Sequence, residues 1–254
     1  LSYYHNKTAL GTPENWNESI RKANGTWIKL MHDDDWFADE NSLQLFYEAT
    51  LKRPDCSFIF SAYNNVAENK KPEPVFLSPV GKYLLQQNPL NIFKKQYVGN
   101  PSCTLIKNDV GLFYDKQFKW VVDFEYYIRC LQKLKSFYYI NIALVNVGIN
   151  ETQVTQYSFR NPEIEIPENH LMVEKMSGSI FRNIFVYDHY WRLYRNLDIR
   201  SSEDIIPYYS KPIHPLLRQM IAFQKMVPTS FLKIGIFSKL FMLGSYLVSL
   251  FRKS

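Results

Sequence analysis

Three consecutive carboxylates, Asp33-Asp34-Asp35, are the feature of this sequence that most directly indicates chemistry. They follow residues 26–31, whose alternation of apolar and polar side chains predicts a strand. Because neighbouring like charges repel, their concentration at a strand end indicates a bound cation. Oxygen ligands at short spacing suit Mg²⁺ or Mn²⁺, which also binds substrate phosphates. The sequence therefore predicts a metal site for a nucleotide or a nucleotide sugar.

The alternative interpretation of these aspartates is helix capping, since Asp favours helix N-termini. A helix is predicted over residues 40–52. Asp39 stands directly before that helix and already serves the capping purpose. The metal site is therefore the favoured interpretation.

A second acidic cluster lies in Trp120–Arg129. Residues 122–134 predict a helix with Asp123 in its first turn, where an acidic side chain is favoured. Glu125 points in a different direction from Asp123 and can pair with Arg129 at i,i+4. Asp123 is thus a candidate for chemistry, and helix capping is the alternative.

Composition narrows the function classes. The chain has 254 residues, of which 46% are hydrophobic, which excludes a disordered protein. The net charge of +6 favours anionic partners, either phosphorylated substrates or an acidic membrane surface. Basic residues are scattered and no nucleic-acid motif is present, so nucleic acid is not an expected partner. The three cysteines match neither a disulfide framework nor a zinc spacing.

The elements that must position these residues alternate between strands and helices through about residue 160. This alternation predicts an α/β fold with a mainly parallel sheet flanked by helices, in which ligands bind beyond the carboxyl ends of strands. Helices are predicted over 168–197, 212–226 and 230–251. We expect a catalytic domain at 1–160 and a helical C-terminal region at 161–254.

The two clusters together resemble the inverting family 2 glycosyltransferases of the GT-A fold. The resemblance covers about residues 1–155, and Asp33–Asp35 stand where that family has its D-x-D metal motif. Gly99–Cys103 is similar to the loop ahead of its acceptor site, and Trp120–Asp123 to the segment that carries its catalytic base. Further matching positions are Gly11, Asn15, Ile20, Ala23 and Gly25.

The resemblance implies a Rossmann-like fold and a metal-dependent, hexosyltransferase-like enzyme. Asp123 would be the catalytic base, and Mg²⁺ or Mn²⁺ would bind Asp33, Asp34 and Asp35, with the choice among the three left open. Donor contacts are expected from His32, Asp33, Asp34, Gln153 and Thr155, and acceptor contacts from Trp120, Asn100, Ser102 and Glu125. The family's first strand and first nucleotide-binding segment should precede Leu1, so an N-terminally truncated domain is expected.

The expected substrates are a nucleotide-sugar donor and a glycan or lipid-linked acceptor, as in bacterial surface polysaccharide or glycolipid synthesis in the cell envelope. Two rival functions use similar residues: a metal-dependent nucleotidyltransferase, and a non-catalytic fragment that only binds. A glycoside hydrolase also uses two carboxylates but does not need three adjacent ones.

The C-terminal segment predicts contact with a membrane surface. Residues 240–251 are uncharged but too few to span a bilayer, which requires about 20 residues. Lys233, Lys239, Arg252 and Lys253 flank these apolar residues and favour anionic lipid. The expected location is cytoplasmic, with peripheral contact at the inner face of the cytoplasmic membrane. Packing on the domain is the alternative.

Overall fold

A computed structural model describes residues 2–150 and 158–251 of the chain. The fold divides into two compact units. The first comprises Leu1–Ile92 and Gln96–Gln153, and the second comprises Phe93–Lys95 and Val154–Ser254.

In the described residues, the first unit is built on a sheet of six strands. In chain order they are β1 (Trp27–Ile28), β2 (Asp35–Phe37), β3 (Phe58–Ala67), β4 (Glu73–Val75), β5 (Thr104–Lys107) and β6 (Tyr138–Ile149). The strand order is β1-β5-β3-β6-β2, with β4 paired to β3. The long pair β3–β6 is parallel, with Ile59 opposite Tyr138 and Val66 opposite Gly148. The other pairings among the described strands are antiparallel.

The prediction of an α/β fold is confirmed, but the prediction of a mainly parallel sheet is wrong, because the sheet is mixed. Two local features explain the difference. A connection as short as residues 68–72 can only return a strand antiparallel, as β4 does against β3. Residues 29–34 connect β1 to β2 without a helix, although these strands form opposite ends of the strand path.

Helices cover the sheet and contribute to its core. They are α1 (Glu14–Lys22), α2 (Ser42–Lys52), α3 (Pro79–Gln87) and α4 (Val122–Leu134). Phe46 and Ala49 of α2 pack with Ile59, Leu105 and Leu144 of three strands in a buried cluster. The boundaries of α4 agree with the predicted helix at 122–134.

The second unit is helical in its described residues. Its helices are α5 (Pro162–Met176), α6 (Ile184–Asn196), α7 (Pro215–Met226), α8 (Thr229–Lys233) and α9 (Gly235–Phe251). The single helix predicted over 168–197 is interrupted at Ser177, whose φ of 65° breaks the helical path. A short 3₁₀ turn, Gly178–Arg182, then leads into α6. Within the described residues, every helix is too short or too polar to cross a bilayer.

Candidate active site

The acidic run is divided between a turn and a strand. β1 ends at Ile28, so Asp33 and Asp34 lie in the connection, while Asp35 is the first residue of β2 and pairs with Val147. Asp35 is buried, with an exposed fraction of 8%. The capping interpretation does not apply to this run, because α2 begins only at Ser42. The carboxylate at the start of α2 is that of Asp39, which accepts a hydrogen bond from the Asn41 N–H at 2.8 Å.

Both carboxylate oxygens of Asp35 accept hydrogen bonds. The Asn100 side-chain amide donates to Oδ2 at 2.7 Å, and the Gly148 backbone N–H donates to Oδ1 at 3.2 Å. Gly148 cannot carry a larger side chain, because a Cβ there would lie 2.3 Å from the backbone oxygen of Asp34. The Asp35 carboxylate is therefore held in one orientation by two separate segments of the chain.

His32 is fixed beside Asp35. Its backbone N–H donates to Ser102 Oγ at 2.9 Å, and its ring stacks on Trp16 with centroids 4.7 Å apart. His32 Nδ1 lies 3.7 Å from Asp35 Oδ2. Burial lowers the pKa of His32, so the imidazole is neutral at pH 7 and free to act as a ligand. Its Nε2 is buried without a hydrogen-bond partner among the described residues.

These residues fit a divalent metal. His32, Asp34 and Asp35 each offer a ligand atom, and the three atoms lie within 4.8 Å of one another. A separation of 3.7 Å between Nδ1 and Oδ2 is compatible with a shared ion at about 2.1 Å from each. Asp33, predicted as a ligand, is exposed and lies outside this group. The structure brings together His32, predicted only as a donor contact, and the other two aspartates.

The loop of Asn100 and Ser102, which we predicted to contact the acceptor, donates to Asp35 and accepts from His32. Gly99 starts this loop with a φ of +87°, and a Cβ there would lie 2.9 Å from the Tyr63 ring. The Lys29 ammonium donates to the backbone oxygen of Ser102, and Ser102 itself is fully buried. The loop holds His32 and Asp35, and its contact with an acceptor stays a prediction.

Asp123 lies in the first turn of α4, as predicted. Its Oδ1 is buried and has no hydrogen-bond partner among the described residues. Burial raises the pKa of Asp123 to about 7. The start of a helix favours the ionised form of an acid, but the burial of this carboxyl disfavours its charge and raises its pKa.

Cys103 is connected to the Asp35 cluster through Asn100. Burial is the main cause that raises the pKa of its thiol, and the negative charges of Asp35 and Asp123 both add to that rise. The thiol also donates to Asn100 Oδ1 at 3.2 Å, so the amide of Asn100 connects Cys103 with Asp35. The thiol of Cys103 is therefore in the electrostatic environment of both carboxylates.

The other predicted site residues differ in their surroundings. Glu125 is buried, and its Oε2 accepts from Arg129 Nη2 at 2.7 Å, so the predicted pairing is confirmed and this carboxylate is not free for an acceptor. Trp120 is half-buried just before α4. Gln153 and Thr155, predicted to contact the donor, lie outside the described residues.

A cavity of about 290 Å³ lies elsewhere in the first unit. It is lined by α1, by Ile28 and Ile106 of adjacent strands, and by Tyr114 and Tyr126. Its lining, among the described residues, includes neither the three potential metal ligands nor Asp123. We therefore assign the candidate site to the acidic clusters and not to this cavity.

Sequence reasoning missed several of the residues that shape the site. Lys29 and Trp16 look like ordinary strand and helix residues, and Gly148 lies 113 residues from the carboxylate that it contacts. The position of His32 directly before three aspartates was the one available signal for a fourth potential ligand.

Comparison with known proteins is consistent with this site. A sequence model of glycosyl transferase family 2 matches residues 1–110, a segment that contains Asp33–Asp35 and Asn100 and ends before Asp123. The match is consistent with a member of this family, supports a glycosyltransferase activity with a nucleotide-sugar donor and an acceptor, and agrees with the α/β fold. No curated protein shows a significant match to the chain.

Proposed function

We propose that this chain is a metal-dependent glycosyltransferase that moves a hexosyl group from a nucleoside-diphosphate sugar to an acceptor hydroxyl with inversion. The observation that carries the proposal is the group of His32, Asp34 and Asp35, whose ligand atoms lie within 4.8 Å of one another inside the segment that the family model matches. The family match over residues 1–110 supplies the reaction class. Residues 1–160 would form the catalytic domain and residues 161–254 a helical C-terminal region.

His32, Asp34 and Asp35 would hold the metal. When bound there, a divalent ion such as Mn²⁺ or Mg²⁺ supplies positive charge that stabilises a departing diphosphate. Trp16 holds the imidazole by stacking, while Asn100 and Gly148 orient the Asp35 carboxylate. Groups of this kind around metal ligands typically change metal affinity by about 10- to 100-fold.

Asp123 would accept the proton of the acceptor hydroxyl as the sugar is transferred. A pKa of about 7 suits this step, because a general base works best when its pKa is close to the operating pH. The partnerless Oδ1 supports the same role, since it has no competing hydrogen bond among the described residues. A single displacement at the anomeric carbon inverts its configuration.

The acceptor class and setting are part of the proposal. A glycan or lipid-linked acceptor of bacterial surface polysaccharide or glycolipid synthesis, at the cytoplasmic side of the membrane, fits the basic balance of the chain. This assignment rests on analogy, because a fold hosts many substrates.

The test is turnover of a panel of UDP-, GDP- and dTDP-sugars with Mn²⁺ and a membrane lipid extract as acceptor source. We expect one donor to release nucleoside diphosphate, with loss of release in EDTA and recovery on adding Mn²⁺. Release of pyrophosphate from a nucleoside triphosphate would instead indicate a nucleotidyltransferase. Absence of both reactions, together with no calorimetric binding of a nucleoside diphosphate, would favour the non-catalytic alternative.

A further inference from the structure

Three serines of helix α9 lie on its buried face. Ser238, Ser245 and Ser249 are buried, and they recur on one face of the helix. Trp191 Nε1 donates to Ser238 Oγ at 3.0 Å, and the hydroxyls of Ser245 and Tyr187 lie 2.7 Å apart. The inner face of α9 is therefore attached to α6 partly by hydrogen bonds between small polar groups.

The outer face of the same helix is apolar. Ile236, Leu240, Leu247 and Phe251 are 75%, 58%, 54% and 85% exposed, and Leu243 and Leu250 extend the stripe. The spacing of these residues places them on one side of the helix, opposite the serines. A helix that faces water normally has the reverse arrangement. An apolar stripe of this length marks a surface that contacts something other than water.

The charge around this stripe identifies what it contacts. Residues 205–254 contain seven Lys and Arg residues and no Asp or Glu, whereas the rest of the chain has 23 Lys and Arg against 24 Asp and Glu. The excess positive charge of the protein is thus concentrated in its last segment. Lys233 is exposed at the end of α8, and Lys239 stays 67% exposed at the edge of the stripe, with its ammonium 4.0 Å from Asp188 Oδ2.

We propose that α8 and α9 lie on an anionic lipid surface, with the apolar stripe at the acyl boundary and the basic residues at the phosphate head groups. With 17 residues, α9 is suited to lie in the plane of the interface and not to cross the bilayer. This inference goes beyond the proposed transferase reaction and does not depend on it.

The test is flotation of the whole chain with vesicles of phosphatidylcholine that contain one third phosphatidylglycerol, compared with pure phosphatidylcholine. The chain should bind the anionic vesicles at low salt and much less in 0.5 M NaCl, because salt screens the head-group attraction. The double variant Leu240→Ser/Leu247→Ser should lower the partition coefficient by about tenfold or more. Lys233→Glu/Lys239→Glu should lower it on anionic vesicles.

Matched controls are the same changes in the first unit. Leu43→Ser/Leu51→Ser alters two leucines that are 53% and 62% exposed, and Lys70→Glu/Lys71→Glu reverses two exposed lysines. Both controls should bind vesicles as the unchanged protein does. Failure of the intact chain to float at low salt, or equal loss in the controls, would overturn the proposal. The proposal would also be overturned if the intact chain did not bind vesicles but formed dimers in sedimentation experiments, and if Leu240→Ser/Leu247→Ser dissociated those dimers. That result would assign the stripe to self-association.

Discussion

Asp35 and Asp123 are two acids of one unit with opposite surroundings: Asp35 is buried, whereas Asp123 is half-buried with a buried Oδ1. Both oxygens of Asp35 accept hydrogen bonds, from Asn100 and Gly148. Oδ1 of Asp123 has no partner among the described residues, and burial raises the pKa of this acid to about 7. Hydrogen-bond donors stabilise a carboxylate charge, whereas burial without them favours the neutral acid. The comparison shows that two acids of one unit have different surroundings, which supports the different roles we propose for them: metal ligand for Asp35 and base for Asp123.

The largest expected effect concerns turnover by Asp123→Asn. The amide has the same size but cannot accept a proton as a base, so kcat should fall by about 10²-fold or more. Metal affinity and donor affinity should stay nearly unchanged, because Asp123 is not in the group of potential metal ligands.

Glu125→Gln is the matched control, since it changes the neighbouring acid of the same helix turn. Its loss of turnover should be smaller once corrected for any loss of folded protein, because Glu125 is bonded to Arg129. A larger defect in Glu125→Gln than in Asp123→Asn would assign the base to Glu125.

The pH dependence of turnover and of stability tests the raised pKa of Asp123. A base must be deprotonated, so kcat/KM should rise with pH through a midpoint near 7 and level off above it. The folded pKa of Asp123 lies above the ordinary value of 3.8, so its contribution to stability is present at low pH and is lost as the pH rises through about 7. Chemical denaturation of Asp123→Asn between pH 4 and 8 should lack that loss. An unchanged stability profile would contradict the raised pKa.

A smaller effect is expected for Asn100→Ala, which removes the donor to Asp35 Oδ2. The freed carboxylate should bind Mn²⁺ about tenfold more weakly in a calorimetric titration. Asn146→Ala is the control, because it removes a hydrogen bond of 2.8 Å to Asn64 in the same sheet. Unchanged Mn²⁺ affinity with a raised KM for the acceptor would restore the acceptor role predicted for Asn100.

Local structure was largely predictable from the sequence, since hydrophobic spacing reports which face of an element is buried. Helix α4 was predicted at 122–134, and the strand predicted at 26–31 contains β1, Trp27–Ile28. Strand direction was not predictable in the same way. The sheet is mixed because short connections such as residues 68–72 force antiparallel returns, and spacing within one strand carries no information about its partner.

The site was predictable in residue type and less so in arrangement. The acidic run indicated a metal, but the selection of His32 over Asp33 depends on a backbone bond to Ser102 and a stack on Trp16. The raised pKa of Asp123 depends on burial, which the sequence pattern around Trp120 does not report. Contacts such as that of Gly148 with Asp35 join distant segments, so one sequence read alone cannot reveal them.

The most direct test of the different roles proposed for Asp35 and Asp123 is a Mn²⁺ titration followed by electron paramagnetic resonance. It compares three proteins: the unchanged chain, Asp35→Asn and Asp123→Asn. Circular dichroism should first show that all three are folded. The unchanged chain and Asp123→Asn should bind one Mn²⁺ with the same affinity, while Asp35→Asn should bind it at least about tenfold more weakly. Equal Mn²⁺ affinity in all three, or loss of binding in Asp123→Asn alone, would contradict the assignment of the metal to the Asp35 cluster.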